Sequence, residues 1–228
     1  MTDQTAIDSA AIRLDGESSV ADPQLAGPVK RAQGLRTKRR IRAAASELFF
    51  KQGYHATSMR QVAAQAGVRV GSVYNHYAGK EALLYSIASE TMEEMIDGAR
   101  EATVDSADDR ARLQAFIEFH IRYCVERQFQ ARVADDFLHL LGPDAKRAVV
   151  ALRDDYEQLL RRILIDGAES YGWKVDQVGL IAFGVLTMIT DIRLWYRPDG
   201  RLSLPDVTDF YATFTLRALG DTSVDQPG

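Results

Sequence analysis

The chain lacks several features that mark secreted and membrane proteins. Cys124 is the only cysteine among the 228 residues, so no internal disulfide can form, which fits a reducing compartment. No uninterrupted apolar run reaches the roughly 18 residues of a membrane span, and the longest runs from Val178 to Ile189. The first residues are acidic and do not form a secretory signal. These absences predict a cytoplasmic protein with no membrane partner.

Motifs of catalysis and metal binding are equally scarce. The sequence has no GxSxG elbow, no phosphate-binding glycine loop and no clustered nucleophile, base and acid. His120 with Cys124, or His139 with the preceding aspartates, could supply two metal ligands, but a third and a fourth at suitable spacing are missing. We therefore expect no enzyme, cofactor or metal. A small helical enzyme and a protein-binding adaptor are the alternatives from other classes.

Positive charge is concentrated in one segment. From Lys30 to Lys80 there are 11 Lys and Arg residues against one acid, a local net charge of +10. Residues 1–29 carry a net charge of −4 and residues 81–228 a net charge of −10. The whole-chain value of −4 thus hides a basic segment joined to an acidic body. Such asymmetry indicates a nucleic-acid partner.

Apolar residues recur at helical spacing, and no segment shows sustained alternation, so we expect an all-α protein. In the basic segment the pattern predicts a first helix from Thr37 to Gly53 and a second capped by Thr57 or Ser58. Gly67 supplies a tight turn before a third helix from Arg69 to Tyr77. Two short helices joined by a glycine turn and braced by a first helix form a helix-turn-helix unit.

The rest of the chain also follows helical patterns. They cover about 81–104, 108–127, 130–141, 144–171, 176–196 and 206–219. The predicted domains are an acidic disordered extension over 1–30, a DNA-binding domain over 31–80, a helical effector-binding and dimerisation domain over 81–220, and a flexible tail over 221–228.

The basic segment offers the two kinds of contact that DNA recognition needs, to phosphates and to base edges. We expect Arg39, Arg60 and Lys80 to meet phosphates, and Ser72 and Asn75 to hydrogen-bond base edges. The predicted DNA-contacting residues are Arg39, Ser58, Met59, Arg60, Val70, Gly71, Ser72, Tyr74, Asn75, His76 and Lys80. The alternative is that these basic residues form only a solvated face.

The ordered strings TSMRQVAAQAGV and GSVYNHYAGKEALL, within Thr37 to Leu84, closely resemble the DNA-binding domain of TetR-family transcriptional regulators. Arg69 and Val70 depart from the commonest family pattern and could alter operator preference. The resemblance implies a bacterial homodimer, most often a repressor, that binds a palindromic double-stranded operator. It also implies a small-molecule pocket in the helical body. An activator or a low-specificity DNA-binding protein is the alternative within the family.

Aromatic residues of the body suggest an effector pocket. The predicted ligand-binding residues are Phe116, His120, Tyr123, Phe137, Tyr156, Trp173 and Trp195. A pocket that is mostly aromatic, with few polar groups, suits an apolar or amphipathic ligand. The alternative is that these aromatic residues are packed core.

The last two predicted helices carry more apolar surface than the core of a single subunit would bury. The stretch from Val178 to Ile192 is nearly apolar all round, so we expect it to be covered on more than one side. The predicted dimer contacts are Phe183 and Met188 on this helix, with Phe210 and Phe214 on the last one. The alternative is that both helices are central in a monomer core.

A weaker resemblance concerns Trp195 to Leu202, which looks like the tail of TetR regulators of fatty-acid and steroid breakdown, some of which respond to acyl-CoA thioesters. It implies an acyl-CoA-type effector, with drug-like or other lipophilic effectors as alternatives. Arg193, Arg197 and Arg201 could then meet the phosphates of coenzyme A, although exposed turn arginines are commoner.

Overall fold

The computed structural model describes the backbone of residues 23–222 and the side chains of residues 31–222. The described chain is helical and contains no strand, which confirms the all-α prediction. Its α-helices are α1 (Pro23–Gln52), α2 (Met59–Ala66), α3 (Val70–His76), α4 (Lys80–Val104), α5 (Asp109–Glu126), α6 (Gln128–Asp136), α7 (Pro143–Tyr171), α8 (Val178–Thr190), α9 (Ile192–Trp195) and α10 (Leu204–Ala218).

Two compact units divide after Thr37, within α1. In the first unit the described chain is the start of α1, which begins at Pro23 rather than at Thr37. The predicted disorder over 1–30 is therefore wrong for residues 23–30, and residues 1–22 lie outside the described part. The beginning of α1 has no apolar stripe, the signal on which the sequence prediction relied.

In the second unit, α2 and α3 form the predicted helix-turn-helix. Ser58 caps α2, since its hydroxyl accepts from the Gln61 amide at 3.2 Å and the Gln61 side chain accepts from the Ser58 amide at 2.8 Å. Gly67 ends α2 with a left-handed backbone (φ 62°), which glycine adopts at little cost. Arg40 on α1 reinforces this turn by donating to the Ala66 carbonyl at 2.6 Å.

A single long helix, α4, runs 25 residues from the helix-turn-helix into the body, where it packs against α5, α6 and α7. Its buried residues include Leu83, Leu84 and Ile87 near the start and Met92, Met95 and Ile96 further on. The helix α4 therefore contributes buried residues both next to the helix-turn-helix and within the body.

Two predicted helices are interrupted. The pattern over 130–141 is α6 followed by a short 3-10 turn, Leu138–Leu140, and the pattern over 176–196 is α8 followed by α9, with a break at Asp191. A helical pattern persists through such short turns, so periodicity alone could not place them.

The end of α10 is held to the body. Asp221 has a fully buried side chain that accepts from Arg110 Nε at 2.6 Å and from Trp173 Nε1 at 2.9 Å. Trp173 in turn covers Gly167, where a Cβ would lie only 2.1 Å from the indole. The predicted flexible tail is therefore wrong at Asp221, because the sequence does not show this long-range contact. Residues 223–228 lie outside the described part.

Candidate DNA-binding surface and effector cavity

The outward face of α3 is polar and open to solvent. Val73 is fully buried, whereas Gly71, Tyr74, Asn75 and His76 are exposed. This arrangement follows from the helical period, which turns one face of a short helix inward and leaves the other outside. The exposed face carries the hydroxyl, amide and imidazole groups that can hydrogen-bond base edges and phosphates. Ser72 and Val70 are half-buried beside it, and Val70 packs against the core.

Gly71 is not required by the fold of the described residues. A Cβ built at this position meets no atom within 4 Å, and the backbone there is ordinary helix. The described structure therefore offers no internal reason for glycine at the start of α3. Glycine at this exposed position would let a partner approach the backbone closely, as the predicted DNA contact requires.

Asn75 provides a test of base reading. Replacing Asn75 with Ala should cost about 1–3 kcal/mol on the preferred operator and almost nothing on random DNA, because the amide would read base edges. Competition binding against single-base variants of the operator measures this, with Gln65→Ala on α2 as the control. If the substitution lowered the affinity for operator and random DNA equally, Asn75 on α3 would not read the base sequence.

Two residues predicted to contact DNA have other roles. Met59 is buried in the core of the helix-turn-helix, so its side chain cannot reach DNA. The Lys80 ammonium donates to the carbonyls of Tyr54 at 2.7 Å, Thr57 at 2.9 Å and His55 at 3.3 Å. Its three donors are thereby used, and the charge lies 4.4 Å from the centre of the Tyr54 ring. In the structure Lys80 is a clamp between α4 and the α1–α2 loop, and we propose this role in place of the predicted phosphate contact.

Lys80→Met should therefore lower stability rather than DNA affinity. The change keeps the stem but leaves three carbonyls without their donor, and hydrogen bonds to charged groups contribute roughly 1.5–3 kcal/mol. We expect a loss of about 2–3 kcal/mol in the free energy of unfolding, measured by urea denaturation.

The exposed Lys51→Met is the matched control for this substitution, since Lys51 pairs with Glu47 at the surface. The salt dependence of DNA binding should be unchanged in Lys80→Met. If the slope of log binding constant against log salt concentration fell by about 1 in this variant, Lys80 would contact a phosphate after all.

The cations of α1 and α2 are divided between structural and surface roles. Lys38 and Arg42 both reach Glu90 on α4, at 2.9 and 2.5 Å. Partial burial would raise the pKa of Glu90, but the hydrogen bonds from Ser86 and Lys38 and the charge of Arg42 outweigh it and lower that pKa. Arg39 and Arg60 are exposed and fit the predicted phosphate contacts. The Ser58 hydroxyl is exposed but is engaged in the cap of α2.

The body contains a cavity of about 270 Å³. It lies between α4, α5, α6, α7 and α8, and most of its wall is apolar. Its lining residues are Thr91, Met92, Met95, His120, Cys124, Ala131, Ala134, Asp135, Arg153, Tyr156, Glu157, Phe183, Leu186, Thr187, Thr190 and Asp191. Among the predicted ligand-binding residues, His120 and Tyr156 line it.

The other five predicted ligand-binding residues do not line this cavity. Phe116 is fully buried behind the Tyr156 ring, at 5.3 Å between centroids, and Trp173 is the core residue that covers Gly167. The Tyr123 hydroxyl donates to Glu94 Oε2 at 3.0 Å. Phe137 lies beside Tyr54, and Trp195 is exposed on α9. An aromatic residue type alone does not show which of several helix junctions the side chain enters.

Sequence reasoning missed the methionines and the charged end of the cavity. Met92 and Met95 lie three residues apart on α4, a spacing that places both on one face, and methionine adapts to irregular ligands. At the charged end, Asp135 accepts from Arg153 and from Arg193, each at 2.6 Å. This ion-pair network could not be read from the sequence, because its members come from α6, α7 and α9.

His120 is a neutral hydrogen-bonding residue of the cavity wall. Its Nδ1 lies 3.0 Å from the Tyr156 hydroxyl and its Nε2 lies 2.8 Å from the Thr190 hydroxyl. Burial, assisted by the charge of Arg193, lowers the pKa of His120 to about 3. Burial also raises the pKa of the neighbouring Cys124 thiol to about 12, so this cysteine stays protonated.

Stability should consequently fall in mild acid. Unfolded His120 takes up a proton near pH 6.5 but the folded residue does so only near pH 3. Between these values the unfolded state binds more protons, so the free energy of unfolding decreases as the pH falls, by up to about 1.4 kcal/mol per unit from this group. In His120→Gln this contribution should vanish. Urea denaturation at pH 7, 6 and 5 tests it, and equal pH slopes in both proteins would refute it.

An apolar face on α8 and α10 is open to the surroundings. Leu180 (67% exposed), Phe183 (64%), Phe210 (62%) and Phe214 (49%) lie on it, and the rings of Phe210 and Phe214 stack at 6.1 Å. The two helices adjoin, since Gly184 and Met188 on α8 and Phe214 and Ala218 on α10 line one groove. Large apolar side chains exposed on two adjoining helices are typical of interaction sites.

By length and composition, Val178–Trp195 could also cross a membrane, and only 22% of this stretch is buried. In the structure the stretch is not one helix, because α8 ends at Thr190 and α9 starts after Asp191. It also contains the charged Arg193, which is paired with Asp135. Crossing a membrane would place this charged pair in lipid, which is costly.

The fold and its surfaces define a class: helical proteins with a helix-turn-helix, a cavity in the body and an exposed apolar face on α8 and α10. The family model for bacterial regulatory proteins of the tetR family matches residues 41–87, and that for the tetracyclin repressor-like C-terminal domain matches residues 106–219. The chain belongs to the TetR family and is a ligand-responsive transcriptional regulator of that type.

Several known proteins are similar to this chain. The TetR-family regulator PfmR from Thermus thermophilus is 32% identical, covers 79% of this chain and 98% of its own, and superimposes with a TM-score of 0.71. The transcriptional repressor KstR2 of Rhodococcus jostii is 26% identical over 77% of this chain and 87% of its own length. AibR, solved in complex with isovaleryl coenzyme A and operator DNA, shares the fold at 24% identity, with coverages of 78% and 97% and a TM-score of 0.67.

Proposed function

We propose that this regulator is a cytoplasmic repressor with no catalytic step, released from its operator when an apolar or acyl-bearing effector fills the cavity. The observation that carries the proposal is the continuity of α4. Lys80, at its start, holds the α1–α2 loop, while Met92 and Met95 further along line the cavity. A ligand that displaces these methionines therefore acts on the helix that positions the helix-turn-helix.

The size and lining of the cavity narrow the class of effector. A water molecule occupies about 30 Å³ of liquid, so 270 Å³ holds about nine groups of that size. This volume suits a medium-length acyl chain or a compact ring system. The likeness to KstR2, a transcriptional repressor, supports the repressor role, and the isovaleryl coenzyme A bound to AibR supports an acyl-type ligand.

The proposal includes a homodimer joined through α8 and α10. A two-fold axis through the apolar face would bury Phe210 and Phe214 of both subunits, and a self-complementary patch of this kind is the usual basis of such pairs. The dimer would present two copies of α3 to the two half-sites of a palindrome, about one helical turn apart. We therefore assign Phe183, Met188, Phe210 and Phe214 to the proposed dimer interface. Phe183 also lines the cavity, so this assignment places the dimer interface next to the ligand.

A DNA-release assay tests the function. A duplex selected from random sequence by the protein itself is labelled, and octanoyl-CoA is titrated into the complex while fluorescence anisotropy reports release. We expect complete release, and a reporter gene behind the same duplex should be repressed without the ligand. Stronger transcription when the protein is present would make it an activator. An unchanged complex with octanoyl-CoA and with other acyl ligands would contradict the proposed effector class.

A further inference from the structure

Three polar side chains form a hydrogen-bonded row on the wall of the apolar cavity. His120 on α5 lies between two hydroxyl groups. The Tyr156 hydroxyl on α7 is 3.0 Å from Nδ1, and the Thr190 hydroxyl at the end of α8 is 2.8 Å from Nε2. All three residues line the cavity, and His120 and Tyr156 are each only 3% exposed. We call these three side chains the polar row.

The polar row has one hydrogen-bond donor more than it uses internally. A neutral imidazole has one N–H and one acceptor nitrogen, and each hydroxyl has one proton. Burial keeps the row uncharged, because it lowers the pKa of His120 to about 3 and raises the pKa of Tyr156. Three protons thus serve two hydrogen bonds, so one hydroxyl proton is left over in either imidazole tautomer. Neither hydroxyl has a second hydrogen-bond partner among the described residues.

The acidity of the two hydroxyls indicates which proton is left over. A phenol, with an ordinary pKa of about 10, is a stronger acid than the alcohol of threonine and therefore the better donor. We expect Tyr156 to donate to Nδ1 of His120, and Nε2–H to donate to the Thr190 oxygen. The Thr190 hydroxyl then donates into the cavity. A buried donor without an acceptor costs free energy, and an oxygen atom of a ligand would remove that cost.

The charged residues of the cavity lining favour a neutral oxygen over a carboxylate. They comprise three acids, Asp135, Glu157 and Asp191, and one base, Arg153. The Arg153 guanidinium already donates to Asp135 at 2.6 Å and to the Ala134 carbonyl at 3.0 Å. A carboxylate would meet net negative charge and an arginine that is engaged elsewhere, and burying an unmatched charge is costly. A ketone oxygen needs only the one donor.

The arginines suggested by the sequence as partners of coenzyme A phosphates do not line the cavity. Arg193 has a side chain only 7% exposed, which donates to Asp135 at 2.6 Å, and its Nε has no hydrogen-bond partner among the described residues. Arg197 donates to the carbonyls of Leu194 and Tyr196 in its own turn. Both side chains therefore lie outside the lining that a ligand in the cavity would touch.

We propose that the polar row selects effectors with a neutral acceptor oxygen, such as a ketone, on an apolar skeleton, and that the Thr190 hydroxyl donates to this oxygen. The inference rests on the proposed function and names the polar group that the apolar cavity recognises. His120 and Tyr156 are positioning residues, because they hold the Thr190 hydroxyl in the donor role. An effector without this oxygen would leave the donor buried and unpaired.

Three variants and three probes test the proposal. Thr190→Val removes the hydroxyl at nearly constant size, and Thr190→Ser keeps it. Thr187→Val is the matched control, because Thr187 lines the same cavity one turn earlier but donates to the Phe183 carbonyl at 2.8 Å. The probes are methyl hexyl ketone, the hydrocarbon in which a methylene group replaces its oxygen, and octanoate. Calorimetry measures the ketone and octanoate, and competition with the ketone measures the hydrocarbon.

We expect Thr190→Val to weaken binding of the ketone by about tenfold, the effect of one lost hydrogen bond, and to leave binding of the hydrocarbon unchanged. Thr190→Ser and Thr187→Val should bind the ketone as the unmodified protein does. Octanoate should bind the unmodified protein at least about tenfold more weakly than the ketone.

The imidazole tautomer gives a readout that packing alone would not change. In ¹⁵N NMR spectra the His120 signals are identified by their absence in His120→Gln. We expect Nε2 to carry the proton, with and without the ketone, because Thr190 is then the free donor. A proton on Nδ1 would make Tyr156 the donor and overturn the role of Thr190.

The binding data can also contradict the inference. If Thr190→Val weakened the ketone and the hydrocarbon equally, or if Thr187→Val weakened the ketone as much, the effect would be one of packing. Octanoate binding as tightly as the ketone would refute the preference for a neutral oxygen. If the ketone did not bind but octanoyl-CoA released the operator, the proposed function would stand without this inference. If neither the ketone nor octanoyl-CoA bound, both proposals would fail.

Discussion

Leu180→Glu combined with Phe210→Glu is expected to convert the protein to monomers and to weaken operator binding by about 10²- to 10⁴-fold, the usual advantage of two linked binding modules. Both side chains are more than half exposed in the single chain, so their replacement should cost the monomer little stability. Across a two-fold interface the change would bring four carboxylates together where apolar groups had met.

Sedimentation and operator binding on the same samples measure both parts of this result. Val104→Glu with Leu202→Glu is the matched control, because it adds the same charge at two exposed apolar residues away from the α8–α10 groove. The control should remain dimeric and bind the operator normally. An unmodified protein that stayed monomeric while saturating its operator would contradict the interface assignment.

Gly71→Ala is the second change with a large expected effect. Its added methyl group meets nothing among the described residues, and alanine is the better helix former by up to about 1 kcal/mol. The protein should therefore be as stable as before. At the DNA surface the same methyl group would occupy the space needed for close approach.

Overpacking costs roughly 1–3 kcal/mol, and a dimer carries the change twice. We expect operator affinity to fall by about 30- to 10⁴-fold, at 1.4 kcal/mol per factor of ten. Denaturation and operator titration on the same protein separate the two effects. Normal operator affinity in a stable Gly71→Ala protein would show that α3 does not approach DNA closely at this residue.

The elements that the sequence predicted well depend on local signals. The Ser58 cap, the glycine turn at Gly67 and the buried residue Val73 all depend on neighbours within a few positions along the chain. Local sequence patterns of this kind do not depend on how distant helices pack, which is why the helix-turn-helix was predicted correctly. The concentration of basic charge was also readable, since it requires only counting.

The roles that the sequence did not reveal depend on distant contacts. Lys80 binds carbonyls more than twenty positions earlier, and the partner of Trp173 is Asp221. A basic residue next to a helix-turn-helix is equally consistent with a phosphate contact and with an internal clamp. Its three carbonyl partners become visible only when the loop between α1 and α2 is placed.

The sequence predicted a cavity in the helical body, but most of the residues predicted to line it lie elsewhere. His120 and Tyr156 enter it, while Phe116, one helical turn before His120, does not. Five helices meet at the cavity, and their relative rotation decides which aromatic residues enter it. Sequence periodicity determines the inward face of each helix but not that rotation.

The cavity and the DNA surface should be coupled through α4, and reciprocal binding measures this most directly. The dissociation constant of the operator is determined with and without saturating octanoyl-CoA, and that of octanoyl-CoA with and without operator. Coupling requires the same factor in both directions, and we expect at least about tenfold weakening. A factor of one, with octanoyl-CoA bound equally well to free protein and to the operator complex, would contradict the coupling.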